Sequence, residues 1–421
     1  MSQTPLPPSG RFIDAVRKSC RALRTASGIE ISDANIKRLL LSPAFTSSYQ
    51  RIAATSHGLA LPLQFPSPLA ELNFVSILSL LNVGHGYRVI LHQQTGRGAW
   101  DSIRAFALGL YLTSAGGGTD LLSAQGMSSM SEGQIAELLG VKIHVEKPHE
   151  SIPGLAVGEV GGQGWELVRI LKDLLTETGK ILVDNGYMNL GGFVAEALAE
   201  GEKAAKLNGN EAAAEVVLER LVRAFPGFRD MATVNSQSVY CFKKVLFLMY
   251  GINIRFSSLS SPPFPIPTMS HLPICADNVI PSILIHLGVI DLSACDPSLA
   301  TLFPGAGTTE ALEQLLAPAP SQGDGSDAKT LPKSKVVPKE GPVLTESQAY
   351  ILRAAAIDAC EIMVLTARSL EVAELRDLGA GLEWVREITL PDLDIWLWAV
   401  AKDRQDYRRL ERFAERKTPF Y

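Results

Sequence analysis

The sequence of 421 residues predicts a mostly α, compact helical fold with few short strands. Apolar residues recur at steps of three and four along many stretches, the period of one helix face. Capping residue types open several of these stretches and glycines close them. No internal repeat of about 20–50 residues is visible, which disfavours a solenoid.

Residues 1–10 are rich in Pro and Ser and are expected to be flexible. RFIDAVRKSCRALRTA then places Phe12, Val16 and Leu23 at roughly helical spacing, and Ser32 or Asp33 can start a second, short helix. The Pro-punctuated LALPLQFPSPLAE leads into the apolar helix LNFVSILSLLNV. GHGYRVILHQQTGRGAW reads as a hairpin or an irregular excursion, and DSIRAFALGLYLTSA as a further helix. SEGQIAELLG carries a Ser cap and a Gly stop. GWELVRILKDLLTETG sets Trp165, Val168, Leu171 and Leu175 on one face, and NLGGFVAEALAEGEKAA and EAAAEVVLERLVRAF continue in this style. SVYCFKKVLFLMYGI reads as a buried helix with two lysines near its start. Residues 317–342 are rich in Pro, Gly, Ser and Lys and are expected to be a disordered insertion. TESQAYILRAAAIDACEIMVLTARSL is an amphipathic helix behind a Thr or Ser cap, and LDIWLWAVAKDRQDYRRLERFAERK a helix with charged later turns. Residues 11–316 and 343–421 are expected to form one domain.

The apolar fraction of 46% supports a substantial core. A net charge of −5 argues against direct nucleic-acid binding, which would show a basic footprint, yet suits a small phosphorylated substrate. The five cysteines form no C-x-x-C pair and read as reduced thiols. The seven histidines are scattered, and neither a metal nor another cofactor is expected. The first residues lack the apolar core of a signal peptide, and no apolar run is long enough to span a membrane. The expected location is the cytoplasm, with the nucleus as an alternative.

VGEVGGQGWELV lacks the Gly-Lys-Ser/Thr ending of a phosphate loop and departs from the dinucleotide fingerprint at Leu167, so it reads as a turn before a helix. No G-x-S-x-G occurs. In FPGFRD, Pro226 and Gly227 force a turn that holds Arg229 and Asp230; helix capping is the plainer reading. Lys243, thirteen residues after Asp230 and followed by Lys244, enters an apolar helix and needs an anionic partner. Asp230 or a substrate phosphate would serve. Asp277 lies between apolar flanks, where it is either an N-cap or a carboxylate tuned for catalysis. Arg353 and Glu361, eight residues apart, interrupt a core-like helix, and Asp394 interrupts apolar surroundings in the same way.

The order and spacing of these segments resemble the queuosine salvage protein family, the queuosine 5′-phosphate N-glycosylases. The resemblance rests on Leu72-Asn73-Phe74, on Phe225 to Asp230, on Lys243-Lys244, on Thr268-Met269 with Cys275-Ala276-Asp277 and Leu287-Gly288, on Arg353 with Glu361, and on Leu393-Asp394 to Trp398. It covers roughly 55–421 apart from the insertion. It implies a largely helical fold with a part similar to helix-rich DNA glycosylases. It also implies hydrolysis of the N-glycosidic bond of queuosine 5′-phosphate, releasing queuine and ribose 5-phosphate for salvage into transfer RNA modification. Departures at Cys275, Asn278, Val279, Ile395 and Ala399 mark a divergent branch. The alternatives are a non-catalytic homologue binding a nucleotide or a partner, or an N-glycosylase for another nucleoside 5′-phosphate.

Asp277 is the carboxylate assigned to the oxocarbenium-like state or its attacking water, with Asp230 as the second catalytic candidate. Substrate contacts are expected from Asn73, Arg229, Lys243, Lys244, Arg353, Glu361 and Asp394. Phe74, Phe228 and Trp396 are the stacking candidates, though such aromatics are more often core. His57 falls near the place of a ligand-contacting histidine of the family, against an even chance of no role.

Overall fold

The Glu346–Ser369 helix begins where the sequence says it should: Thr345 and Gln348 form a reciprocal capping box. Its Ala- and Ile-rich length is buried on nearly every side from Ala349 to Cys360, so it serves as a central post rather than a surface helix. The computed structural model describes residues 4–53, 59, 61, 63–116, 119–149, 151–152, 156–319, 339–378 and 381–421. Most of the segment expected as an insertion, 320–338, therefore lies outside the described residues. Helices dominate and the strands are few and short. Among the described residues no single helix is long and apolar enough to cross a membrane.

Backbone contacts divide the chain into two units, each built from separated stretches. The first contains residues 1–61, 231–246 and 268–413. Around the Glu346–Ser369 post pack Phe12–Ala26, Asp33–Leu40, Val279–His286 and Leu390–Asp403. Phe12, Val16 and Leu23 are fully buried, as their spacing requires. Ser32 caps the Asp33–Leu40 helix by accepting from the Asn35 amide. Two-residue strands pair antiparallel, Glu30 opposite Asp291 and Ile31 opposite Ile290. A hairpin joins Met231–Val234 to Gln237–Tyr240 through Asn235 and Ser236, both in the left-handed region that such a turn demands. Of the amino-terminal residues expected to be flexible, Pro7 is buried and the Pro5 carbonyl accepts from the Tyr240 hydroxyl at 2.9 Å.

The second unit contains residues 62–230, 247–267 and 414–421. Its longest helix, Gly162–Asp184, packs on Ala124–Ser128 and Glu132–Leu139. Ser131 and Gln134 form a capping box at the start of Glu132–Leu139, and Gly140 ends it in the left-handed conformation. Leu190–Asn208 packs on both Ala212–Ala224 and Pro68–Leu80. The last contact is close because residue 191 has no side chain; a Cβ there would stand 2.7 Å from Asn73 Cα. An exposed hairpin pairs His144–Pro148 with Ala156–Val160.

Three local expectations are corrected. GHGYRVILHQQTGRGAW is no hairpin: a 3-10 turn over His85–Tyr87 runs into the helix Arg88–Thr95, which Gly96 stops in the left-handed region. SVYCFKKVLFLMYGI is not helical throughout. Gln237–Tyr240 is a strand, Phe242 has φ of 47°, and the helix starts only at Lys243. The last helix does not run on to Lys417. Leu390–Asp403 ends at extended Arg404, whose guanidinium donates to Asp406 at 2.6 Å and to the Ala317 carbonyl at 2.8 Å. Only a short turn, Gln405–Arg409, follows.

Candidate functional site

Cys275 to Asn278 is a buried segment ahead of the Val279–His286 helix, and in the first unit side chains from two other helices pin its backbone. From the central post, Arg353 Nε donates to the Ala276 carbonyl at 2.9 Å. Its guanidinium also lies 5.2 Å from the centre of the Tyr350 ring, so a fully buried cation is held by a carbonyl dipole and an aromatic face. From the Leu390–Asp403 helix, Asp394 Oδ2 accepts from the Cys275 amide at 2.6 Å. The segment thus presents Asp277 on a frame fixed at the two preceding residues. Asp277 Oδ1 accepts from the Val279 amide at 2.7 Å, a local bond made from one position before Asn278, which is the N-cap residue itself.

Electrostatics mark this cluster as more than capping. Asp277 and Lys243 are each 2% exposed and Asp394 is 1% exposed. Burial pushes the Asp394 carboxyl up to about 7; the Cys275 amide opposes this, the charge of Asp277 adds to it, and the cation of Lys243 opposes it. Burial likewise raises the Cys275 thiol, aided by Asp394 and opposed by Lys243. The Cys360 thiol is raised by burial and then by Asp394 and Glu361. Asp277, Asp394, Lys243 and Arg353 are therefore brought together, with an acid that still holds its proton near neutral pH.

The remaining expected site residues have other surroundings. Glu361 accepts from Arg17 Nε at 2.7 Å, and Arg17 also donates to the His271 carbonyl. Lys244 is fully buried beside Lys243 in the chain. Trp396 is fully buried; its indole N–H donates to Ser48 Oγ at 2.9 Å and its ring meets Phe45 edge-on at 4.8 Å. That ring is a core element, not an open stacking platform.

Five others belong to the second unit. Asn73 is a bridge, donating to the Leu122 carbonyl and accepting from the Gly191 amide, each at 3.0 Å. Phe74 packs on Phe65 and Tyr111, and Phe228 on Phe225. Arg229 donates to the Val222 carbonyl at 3.0 Å and the Arg223 carbonyl at 2.7 Å, capping the end of Ala212–Ala224. Asp230 is fully buried and its amide donates to the Phe228 carbonyl at 2.9 Å. His57 lies outside the described residues.

Two features escape the sequence reading. Asp358, 2% exposed, accepts from both Arg21 and Arg24 at 2.9 Å. Its only signal was a carboxylate in the apolar run AAAIDAC. Asn278, which stands out in sequence only as a departure, is buried and donates through Nδ2 to the Phe413 carbonyl at 2.7 Å.

Residues 163–300 match the family model described as queuosine salvage protein. The stretch includes Asp230, Lys243 and Asp277; Arg353 and Asp394 fall beyond it and join the site through geometry alone. No curated protein matches the chain. Over these residues, and with a mostly helical fold, the chain is similar to the queuosine salvage protein family.

Proposed function

We propose that this chain hydrolyses the N-glycosidic bond of queuosine 5′-phosphate, releasing queuine and ribose 5-phosphate. The match of residues 163–300 to the queuosine salvage protein model supports a role in queuosine salvage. The observation that supports the chemistry is the pairing of two buried aspartates, Asp277 and Asp394, the second with its carboxyl raised to about 7, with the Lys243 cation acting on that same group.

Breaking the bond sends its electron pair to the base nitrogen and leaves positive charge on C1′ and the ring oxygen. Asp277, anchored by the Val279 amide, is the carboxylate that would face that charge or take a proton from the water that adds at C1′. The departing 7-deazapurine has no N7 to protonate, so a donor at its pyrimidine edge must meet the growing negative charge. Asp394, keeping its proton up to about pH 7, suits that task. Low local dielectric strengthens both effects. Lys243 places a positive charge beside these carboxylates and opposes the rise at Asp394.

Asp277→Asn keeps an oxygen for the Val279 amide but loses the charge. The expected result is a fall in queuine release of about 10²–10⁴-fold at an unchanged melting temperature. Undiminished release would remove Asp277 from the mechanism.

A further inference from the structure

Asn278 is 3% exposed, and its Nδ2 spends a donor on the Phe413 carbonyl. That contact fixes the orientation of the amide, because two carbonyl oxygens facing each other would repel. Its Oδ1 is buried and has no hydrogen-bond partner among the described residues. A buried acceptor left unmade bears its full desolvation cost, and native structures keep few of them without a use. Asn278 is not needed as a helix cap: its side chain makes no capping bond, and Asp277 already takes the Val279 amide. The unmet acceptor therefore belongs to the residue directly after the carboxylate assigned to C1′.

We propose that Asn278 Oδ1 accepts a hydrogen bond from the ribose 2′-hydroxyl, making Asn278 a specificity-determining residue for ribonucleotides over 2′-deoxyribonucleotides. This rests on the reading of Asp277 as the group at C1′. The 2′-hydroxyl is carried by the neighbouring carbon and is the substrate donor closest to the bond that breaks. A hydrogen bond to it strengthens as charge develops at C1′.

The test is calorimetric binding of queuosine 5′-phosphate and its 2′-deoxy counterpart to the Asp277→Asn protein, which holds substrate without consuming it. The ribonucleotide is expected to bind about tenfold tighter. Adding Asn278→Ala should bring the ratio to about one. Asn278→Asp, which keeps an acceptor and gives up the donor to Phe413, should preserve it. A purely structural role would weaken both nucleotides together and leave the ratio unchanged, overturning the proposal. A ratio near one before substitution, or binding of neither nucleotide, overturns it as well. Turnover by the unsubstituted protein is read separately: binding with a ribose preference but no queuine release sinks the hydrolase reading and leaves the assignment of Asn278 standing.

Discussion

Burial, reinforced by the charge of Asp277, carries the Asp394 carboxyl from an ordinary 3.8 to about 7. The native state then binds this proton more tightly than the unfolded chain, so between these two values the folded form holds more protons. By linkage, the contribution of Asp394 to stability is fully present below about pH 4 and is lost as pH rises to about 7. Melting temperatures measured from pH 4 to 8 should show this decline, and Asp394→Asn should flatten it. If Asp394 donates to the leaving base, queuine release should fall as pH rises through about 7, a limb absent from Asp394→Asn. An identical profile for both proteins would argue against the donor role. Asp277 and Asp394 were legible in the sequence because a carboxylate among Ile, Leu and Trp must either find partners or keep its proton. The roles of Asn73 and Trp396 were not, since their partners, Leu122, Gly191 and Ser48, are distant in the chain. No local pattern distinguishes such a bridge from a ligand contact.

At the scale of elements, helices were read where two signals coincided. Ser131 with Gln134 and Thr345 with Gln348 announce their helices by caps, and the apolar periods that follow agree. The Met231–Tyr240 hairpin was missed because its strands are four residues each and its Asn-Ser turn lacks the glycine that usually signals one. Arg229 shows how an element can claim a residue that resembles a ligand contact. Two of its donors satisfy the last carbonyls of Ala212–Ala224. Arg229→Ala should cost about 1–2 kcal/mol, seen as a lower melting temperature, with queuine release unchanged at temperatures where the variant is folded. A selective loss of substrate affinity without a loss of stability would instead return Arg229 to the substrate.

In the molecule as a whole, the first unit gathers its cluster from two separated stretches of chain, 231–246 and 268–413, and the central Glu346–Ser369 helix is common to much of its packing. Chain order alone could not assemble Lys243, Asp277, Arg353 and Asp394; packing around that helix brings them within electrostatic reach. The post is tied to the first helix by Arg17 with Glu361 and by Arg21 and Arg24 with Asp358. Asp358 is the buried member of that set, so removing its carboxylate takes a charge-assisted hydrogen bond from two arginines at once. Asp358→Ala should therefore lower stability by roughly 1.5–3 kcal/mol, more than loss of an exposed pair such as Lys147 with Glu159. Similar melting temperatures for the two variants would contradict this ranking. The proposed reaction of the gathered carboxylates is the cleavage of a glycosidic bond. Purified protein mixed with queuosine 5′-phosphate, with queuine and ribose 5-phosphate quantified together by mass spectrometry, tests it most directly. The expected result is equimolar formation of both products. A folded protein that leaves the nucleotide intact, at the rate of the protein-free control, would contradict it.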